Sequence, residues 1–258
     1  MFSDERRDII LELLEKNGRV LAKELADRFE LSIDSIRRDL TIMEEKGLLK
    51  RTHGGAIPAS PVRSAPLPTE QRYGEATPRQ KAIAKMAASI IRENDSVFIG
   101  GAGIHYGMLE HLPDCPFTVV TNSVTIADAL KARESVEVYL IGGKVKSSGN
   151  ISDSLALDFI RQFSLDTCFL TGGGISANGI TTSTPEAAAI SREAARVSRK
   201  VVALAPYDKV GQDFFAKVLP AEDMDVMITD DEASLNVIQE LEAKGVKVLI
   251  ARPDDEAL

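Results

Sequence analysis

Leu31-Ser32-Ile33-Asp34-Ser35-Ile36-Arg37-Arg38-Asp39-Leu40-Thr41-Ile42-Met43 decides the reading of the N-terminal region. Ile33, Ile36, Leu40 and Met43 recur at helical spacing and predict one buried face. The opposite face carries Asp34, Ser35, Arg38 and Thr41, with Arg37 on its flank. Ser32 stands where a helix N-cap is expected. Upstream, Ile9, Ile10, Leu13 and Leu14 make the stripe of a first helix, ended by Asn17-Gly18. Leu21, Leu25, Ala26 and Phe29 predict a second, shorter helix. Downstream, Gly47 ends the third helix, and Leu48-Leu49-Lys50-Arg51-Thr52-His53-Gly54-Gly55-Ala56 reads as a short strand, a basic pair and a glycine turn.

Three helices followed by a basic hairpin outline a winged helix-turn-helix. A DNA-reading helix must bury one face and present hydrogen-bonding side chains on the other. Arg grips guanine edges or phosphates with two N–H groups at once. Lys50 and Arg51 on the wing would hold phosphates, with Gly54-Gly55 letting the backbone approach them. Periodicity alone fits equally a three-helix bundle whose arginines are solvated or paired with Asp34, Asp39 or Glu44. The basic wing favours DNA.

Composition changes near residue 57. Pro58, Pro61, Pro66 and Pro68 follow within a few residues, and proline excludes helix and sheet interiors. The expected organisation is a DNA-binding domain at 1–57, a proline-rich linker at 58–76 and a second domain at 77–258. In that domain short apolar runs alternate with helical stretches at 79–91, 123–132 and 185–199. Ser96-Val97-Phe98-Ile99 runs into Gly100-Gly101, Phe117-Thr118-Val119-Val120 into Thr121-Asn122-Ser123, and Thr167-Cys168-Phe169-Leu170 into Thr171-Gly172-Gly173-Gly174. This pattern predicts a mainly parallel α/β sheet, with ligands at the carboxyl ends of its strands.

The run Arg6…Ile9-Ile10-Leu11-Glu12-Leu13-Leu14, then Ser32…Ile36-Arg37-Arg38-Asp39-Leu40, then Gly47-Leu48-Leu49…Arg51…His53-Gly54-Gly55-Ala56 resembles the DeoR family of bacterial transcription regulators. The likeness continues through Val120-Thr121-Asn122-Ser123, Gly142-Gly143-Lys144, Gly179-Ile180-Thr181-Thr182 and Lys209…Gly211. It implies a winged helix-turn-helix joined to a sensor domain similar to sugar-phosphate isomerases. It also implies repression of a carbohydrate operon, a homo-oligomer (dimer or tetramer), double-stranded operator DNA as partner and a phosphorylated sugar as effector. By this resemblance Ser32, Ser35, Arg37 and Arg38 enter the major groove, while Lys50, Arg51, His53 and Gly54 meet the backbone.

The sensor loops depart from the family pattern. Where the family has Asp-x-Gly-Thr/Ser-Thr, this chain has Gly100-Gly101-Ala102-Gly103-Ile104, without the acid or the hydroxyls. Gly101-Ala102-Gly103 is either an anion nest of backbone N–H groups or a tight turn. Asn122 and Ser123 either bond a ligand or cap the next helix. Gly143, Lys144 and Lys209 follow strand ends, and Gly173 lies in the glycine turn after the Thr167 strand. Glu186 opens a helix, where the dipole favours it, and family position also turns it toward a ligand. His105 sits inside the altered loop.

An enzyme is the competing class. Enediol isomerisation needs a carboxylate base, and Gly172-Gly173-Gly174 offers none. A dinucleotide site needs G-x-G-x-x-G, but Gly107 falls one residue late. An architectural DNA protein without a ligand is the third class. His105 and His111 stand six apart, off metal-ligand spacing, and Cys115 and Cys168 are too few for a disulfide framework or a zinc site of several cysteines. No metal, cofactor or catalytic residue is expected. The net charge of −8 excludes a general coating of nucleic acid and confines such contact to a local basic patch. No signal-peptide pattern or membrane-length apolar run is present, so a cytoplasmic location is expected.

Overall fold

A computed structural model describes residues 3–17, 20–46, 48–52, 54–58 and 76–253. It divides into two units, Met1–Pro61 and Val62–Leu258. The expected roles of Gly18, Gly47 and His53, and nearly all of the proline-rich segment, lie outside the described residues.

The first unit comprises α1 (Ser3–Asn17), β1 (Val20–Leu21), α2 (Ala22–Phe29), α3 (Ile33–Glu45), β2 (Leu49–Thr52) and β3 (Gly55–Pro58). Its core collects Ile10 and Leu14 from α1, Leu25 from α2, Ile36, Leu40 and Met43 from α3, and Leu49 and Ala56 from the wing. Full burial of such aliphatic side chains contributes about 1.5–3 kcal/mol each. The Ser32 hydroxyl accepts the Ser35 N–H at 3.2 Å, capping α3. Two expectations need correction. Leu21 does not open α2; it pairs as β1 with Gly55 of β3 and is 39% exposed. Ile33 is not on the buried face of α3 but 41% exposed, because the first helical residue lies beyond the reach of the core.

The wing is antiparallel, with Lys50 opposite Ile57 and Arg51 opposite Ala56. Gly55 serves this packing: a Cβ there would stand 1.9 Å from the Val20 carbonyl oxygen. Asp39 fastens α3 to α1. It is 3% exposed and accepts from Arg6 Nε at 2.8 Å and Nη2 at 2.6 Å, and from Nε and Nη2 of Arg7, both at 3.0 Å.

The second unit is a parallel sheet covered on both faces. Its elements are α4 (Pro78–Ala88), β4 (Ser96–Ile99), α5 (Gly103–Gly107), β5 (Phe117–Thr121), α6 (Val124–Leu130), β6 (Val136–Leu140), α7 (Ser154–Ile160), β7 (Leu165–Leu170), β8 (Gly174–Ser176), β9 (Gly179–Thr182), α8 (Pro185–Arg196), β10 (Ser198–Ala205), β11 (Ala216–Leu219), β12 (Val226–Asp230), α9 (Leu235–Ala243) and β13 (Lys247–Ala251). The seven-stranded order is β6-β5-β4-β7-β10-β12-β13, every pair parallel. Side chains alternate between two cores: Val97, Ile99, Phe169, Val202 and Leu204 join one, while Phe98, Cys168, Leu170, Val201 and Ala203 join the other. A small antiparallel sheet, β11-β9-β8, was not legible in the sequence. From β4 the chain builds outward through β5 and β6; from β7 it builds the opposite way. The strand order therefore reverses between β4 and β7, which opens a crevice at their carboxyl ends.

Replacing Asp39 with Ala should destabilise the first unit by about 3 kcal/mol, because two guanidinium groups lose their shared counter-charge. Asp34→Ala, which removes the exposed partner of Arg37, should cost under about 0.5 kcal/mol. Urea denaturation of the two variants measures the contrast, and equal costs would refute the anchoring role of Asp39.

Candidate DNA-reading surface and effector crevice

On α3 the arginines divide by partner. Arg37 Nη1 lies 3.4 Å from Asp34 Oδ1, an exposed pair. Arg38 is exposed and has no ion-pair or hydrogen-bond partner among the described residues. The same holds for Lys50 on the wing. Arg51 is tied back to the helix: its backbone N–H donates to Glu44 Oε1 at 2.7 Å and its Nη1 to Thr41 Oγ1 at 2.6 Å. This pair of bonds sets the wing beside α3. Ser32 and Ser35 share a hydroxyl bond of 2.8 Å at the helix start. Gly54 is exposed, and its carbonyl accepts the Ala22 N–H at 2.7 Å. Asp39, one of the acids open to the arginine pair on sequence grounds, is occupied by Arg6 and Arg7. Spacing along the chain gives no sign of that triad, whose acid stands 33 and 32 residues from its two arginines.

In the crevice, Gly100 ends β4, and Gly101 and Ala102 lead into α5. His105 is 3% exposed, and its Nδ1 lies 2.8 Å from the Gly100 carbonyl oxygen. Its Nε2 is buried with no partner. Burial drives the imidazole down to about 4; the bond to Gly100 opposes this, the charge of Lys209 adds to it, and the Leu170 carbonyl at the end of β7 also opposes it. His105 is thus fixed at the end of β4, with the Leu170 carbonyl of β7 in its surroundings. Lys209 reaches the same place from the short turn Tyr207–Lys209 after β10. Burial lowers its pKa, against the pull of Asp208.

Asn150 was not singled out in the sequence. Its Nδ2 donates to the Gly101 carbonyl at 2.9 Å, while its Oδ1 is buried without a partner. A Cβ on Gly101 would stand 1.9 Å from that Oδ1, so glycine is required by the close approach of the Asn150 side chain. Asn122 Nδ2 donates to the Ile151 carbonyl at 2.9 Å, and its Oδ1 is likewise buried and unpaired. Ser123 caps α6, accepting the Ile126 N–H at 3.4 Å.

The remaining candidates are not all brought to this point. Gly143 and Lys144 are exposed beyond edge strand β6, where the Lys144 N–H donates to Asp153 Oδ2 at 2.6 Å. Gly173 donates to the Thr181 carbonyl at 2.8 Å and lies against the Phe214 ring. Glu186 is exposed in the first turn of α8. A separate cleft of about 160 Å³ is lined by Thr77, Arg79, Gln80, Pro206, Tyr207, Asp208 and Asp230. Arg79 is already held there by Asp231 and Glu232, and Asp208 and Asp230 repel an anion.

Residues 6–62 match the DeoR-like helix-turn-helix domain, and residues 75–231 match the DeoR C terminal sensor domain. The transcriptional repressor GlcR of Bacillus subtilis is 28% identical over 256 residues, covering 99% of each chain. The glycerol-3-phosphate regulon repressor of Escherichia coli is 30% identical over 247 residues, covering 93% of this chain and 96% of its own. A solved ribose 5-phosphate isomerase from Methanocaldococcus jannaschii shares 8% identity at a TM-score of 0.37, covering 51% of this chain and 53% of its own, which bears no weight for function. A helix-turn-helix domain with a sensor domain defines a DNA-binding transcription regulator, not an enzyme. The chain belongs to the DeoR family.

His105 gives a signed pH dependence. Its folded-state value near 4 lies below the ordinary 6.5, so the unfolded chain takes up the proton first as pH falls. Its contribution to stability is full above pH 6.5 and is lost as pH falls toward 4. Between pH 7 and pH 5 the second unit should lose about 2 kcal/mol through this residue. His105→Gln should remove that part of the slope. Urea melts at the two pH values measure it, and identical slopes for both proteins would refute the buried neutral state.

Proposed function

We propose that this chain represses a carbohydrate-related operon in the cytoplasm as a homo-oligomer, and that a small anionic metabolite of the sugar-phosphate class controls it. The observation that carries the DNA reading is the unpartnered Arg38 on the outer face of a capped α3, beside a wing fixed to that helix through Arg51. Ser32, Ser35, Arg37 and Arg38 address base edges; Lys50, Arg51, His53 and Gly54 address phosphates. The overall charge of −8 repels DNA elsewhere and favours contact through this face.

Arg38→Ala should weaken specific binding by about 1–3 kcal/mol and relax specificity at one position. Lys50→Ala should weaken specific and random duplexes alike and reduce the salt slope by about one phosphate. Titration of fluorescent duplexes at several salt concentrations checks both. Unchanged affinity in both folded variants would overturn this surface.

The effector's anion is placed at Gly101, Ala102 and Gly103, facing Lys209, with His105 and Tyr106 toward its remaining part. Gly100, Asn122 and Ser123 complete the set around the crevice, and Asn150 joins it, while Gly143, Lys144, Gly173 and Glu186 rest on the family resemblance alone. The Lys209 ammonium offers a charge-assisted bond to a phosphate where the family's hydroxyls are missing. A relative named for a glycerol-3-phosphate regulon agrees with this ligand class. Lys209→Ala should weaken a bound sugar phosphate about 10- to 100-fold, the worth of a hydrogen bond to a charged group. Calorimetry of sugar phosphates against their neutral parents decides it. Equal affinity for both, unaltered in Lys209→Ala, would remove the anion from this crevice.

A further inference from the structure

Ile33 breaks the pattern of its own helix. Ile36, Leu40 and Met43 are at most 1% exposed, yet Ile33, the first residue of α3, is 41% exposed and absent from the core of its unit among the described residues. Its neighbours along the chain are mostly polar: Ser32 and Ser35 bonded to each other, Asp34 with a side chain 89% exposed, and Arg37 at 58%, with Leu31, itself 37% exposed, two residues before it. A lone exposed aliphatic side chain is ordinary on a protein surface. This one stands at the amino end of the recognition helix, the part that meets base edges when such a helix enters the major groove.

Isoleucine has neither donor nor acceptor. In the major groove the guanine, cytosine and adenine edges offer polar atoms, and thymine alone adds a methyl group. Branching at Cβ also stiffens the side chain, so little rotamer freedom is lost on contact. We propose that Ile33 is a specificity residue that reads the C5-methyl of a thymine in the operator. This rests on the reading of α3 as the DNA-facing helix.

The test uses the full-length chain and a duplex it selects from a random library. Each thymine of the selected site is replaced in turn by uracil, which removes the methyl and keeps the pairing edge. One replacement should weaken wild-type binding about fourfold, the worth of burying one methyl group. Ile33→Ala should bind the thymine and uracil duplexes equally, whereas Ile33→Val should keep the preference. Matching thermal melts of the variants and wild type exclude misfolding. A selected site without thymine, uracil replacements without effect, or a preference undiminished in Ile33→Ala would each overturn the proposal. Arg38→Ala on the same duplex separates the two levels: a loss there alongside a null uracil result sinks only the thymine contact. No loss in either sinks the DNA-facing helix as well.

Discussion

A parallel sheet covered on both faces has few places where a polar ligand can enter, and strand order fixes where they are. Here β4, β5 and β6 build to one side and β7, β10, β12 and β13 to the other. The loops leaving β4 and β7 must therefore part, and the strand-end carbonyls of Gly100 and Leu170 are left facing a gap. His105 fills part of it with one nitrogen bound and one unpaired. Asn150 enters from the segment between β6 and α7, over a glycine that has no Cβ to exclude it. Lys209 arrives from the next strand. A buried ammonium beside a neutral imidazole, with no acid bonded to either among the described residues, is costly unless an anion comes to it.

The DNA-binding unit solves a different problem. One helix has to be fixed firmly while its outer face stays unengaged. Apolar packing of Ile36, Leu40 and Met43 supplies most of the fixing. Asp39 supplies the rest, drawing Arg6 and Arg7 of α1 into one charge-assisted cluster. That arrangement keeps the buried acid Asp39 engaged away from Arg37 and Arg38. Arg51 then locks the wing to the same helix through Thr41 and Glu44. Arg6 and Arg7 hold the frame, Arg51 ties the wing to α3, Arg37 pairs with the exposed Asp34, and the side chains of Arg38 and Lys50 have no partner among the described residues.

Much of this was legible in the residues themselves. Helical spacing placed α3 and the capping role of Ser32, and apolar runs placed the central strands. Alternation of strand and helix implied a parallel sheet, and the glycines after β4 and β7 marked the carboxyl ends of these strands. These features are local, because periodicity and backbone preference act within a few residues. Motif likeness then gave the family, which the domain matches bear out.

Other features were settled only by the fold. Leu21 became strand rather than helix because β3 offered its backbone a partner. Ile33 fell outside the core because a helix that starts at the surface cannot bury its first turn. Gly55 is required by its close contact with the Val20 backbone, which the sequence does not announce. Asn150 lies 49 residues from the carbonyl it binds, and Asp39 lies 33 and 32 residues from its two arginines. The sequence by itself therefore determined which segments form helices, which form strands, and which family they make. Tertiary structure alone decided which polar groups are satisfied and which are left waiting, because a hydrogen bond depends on distance in space and the chain records only order.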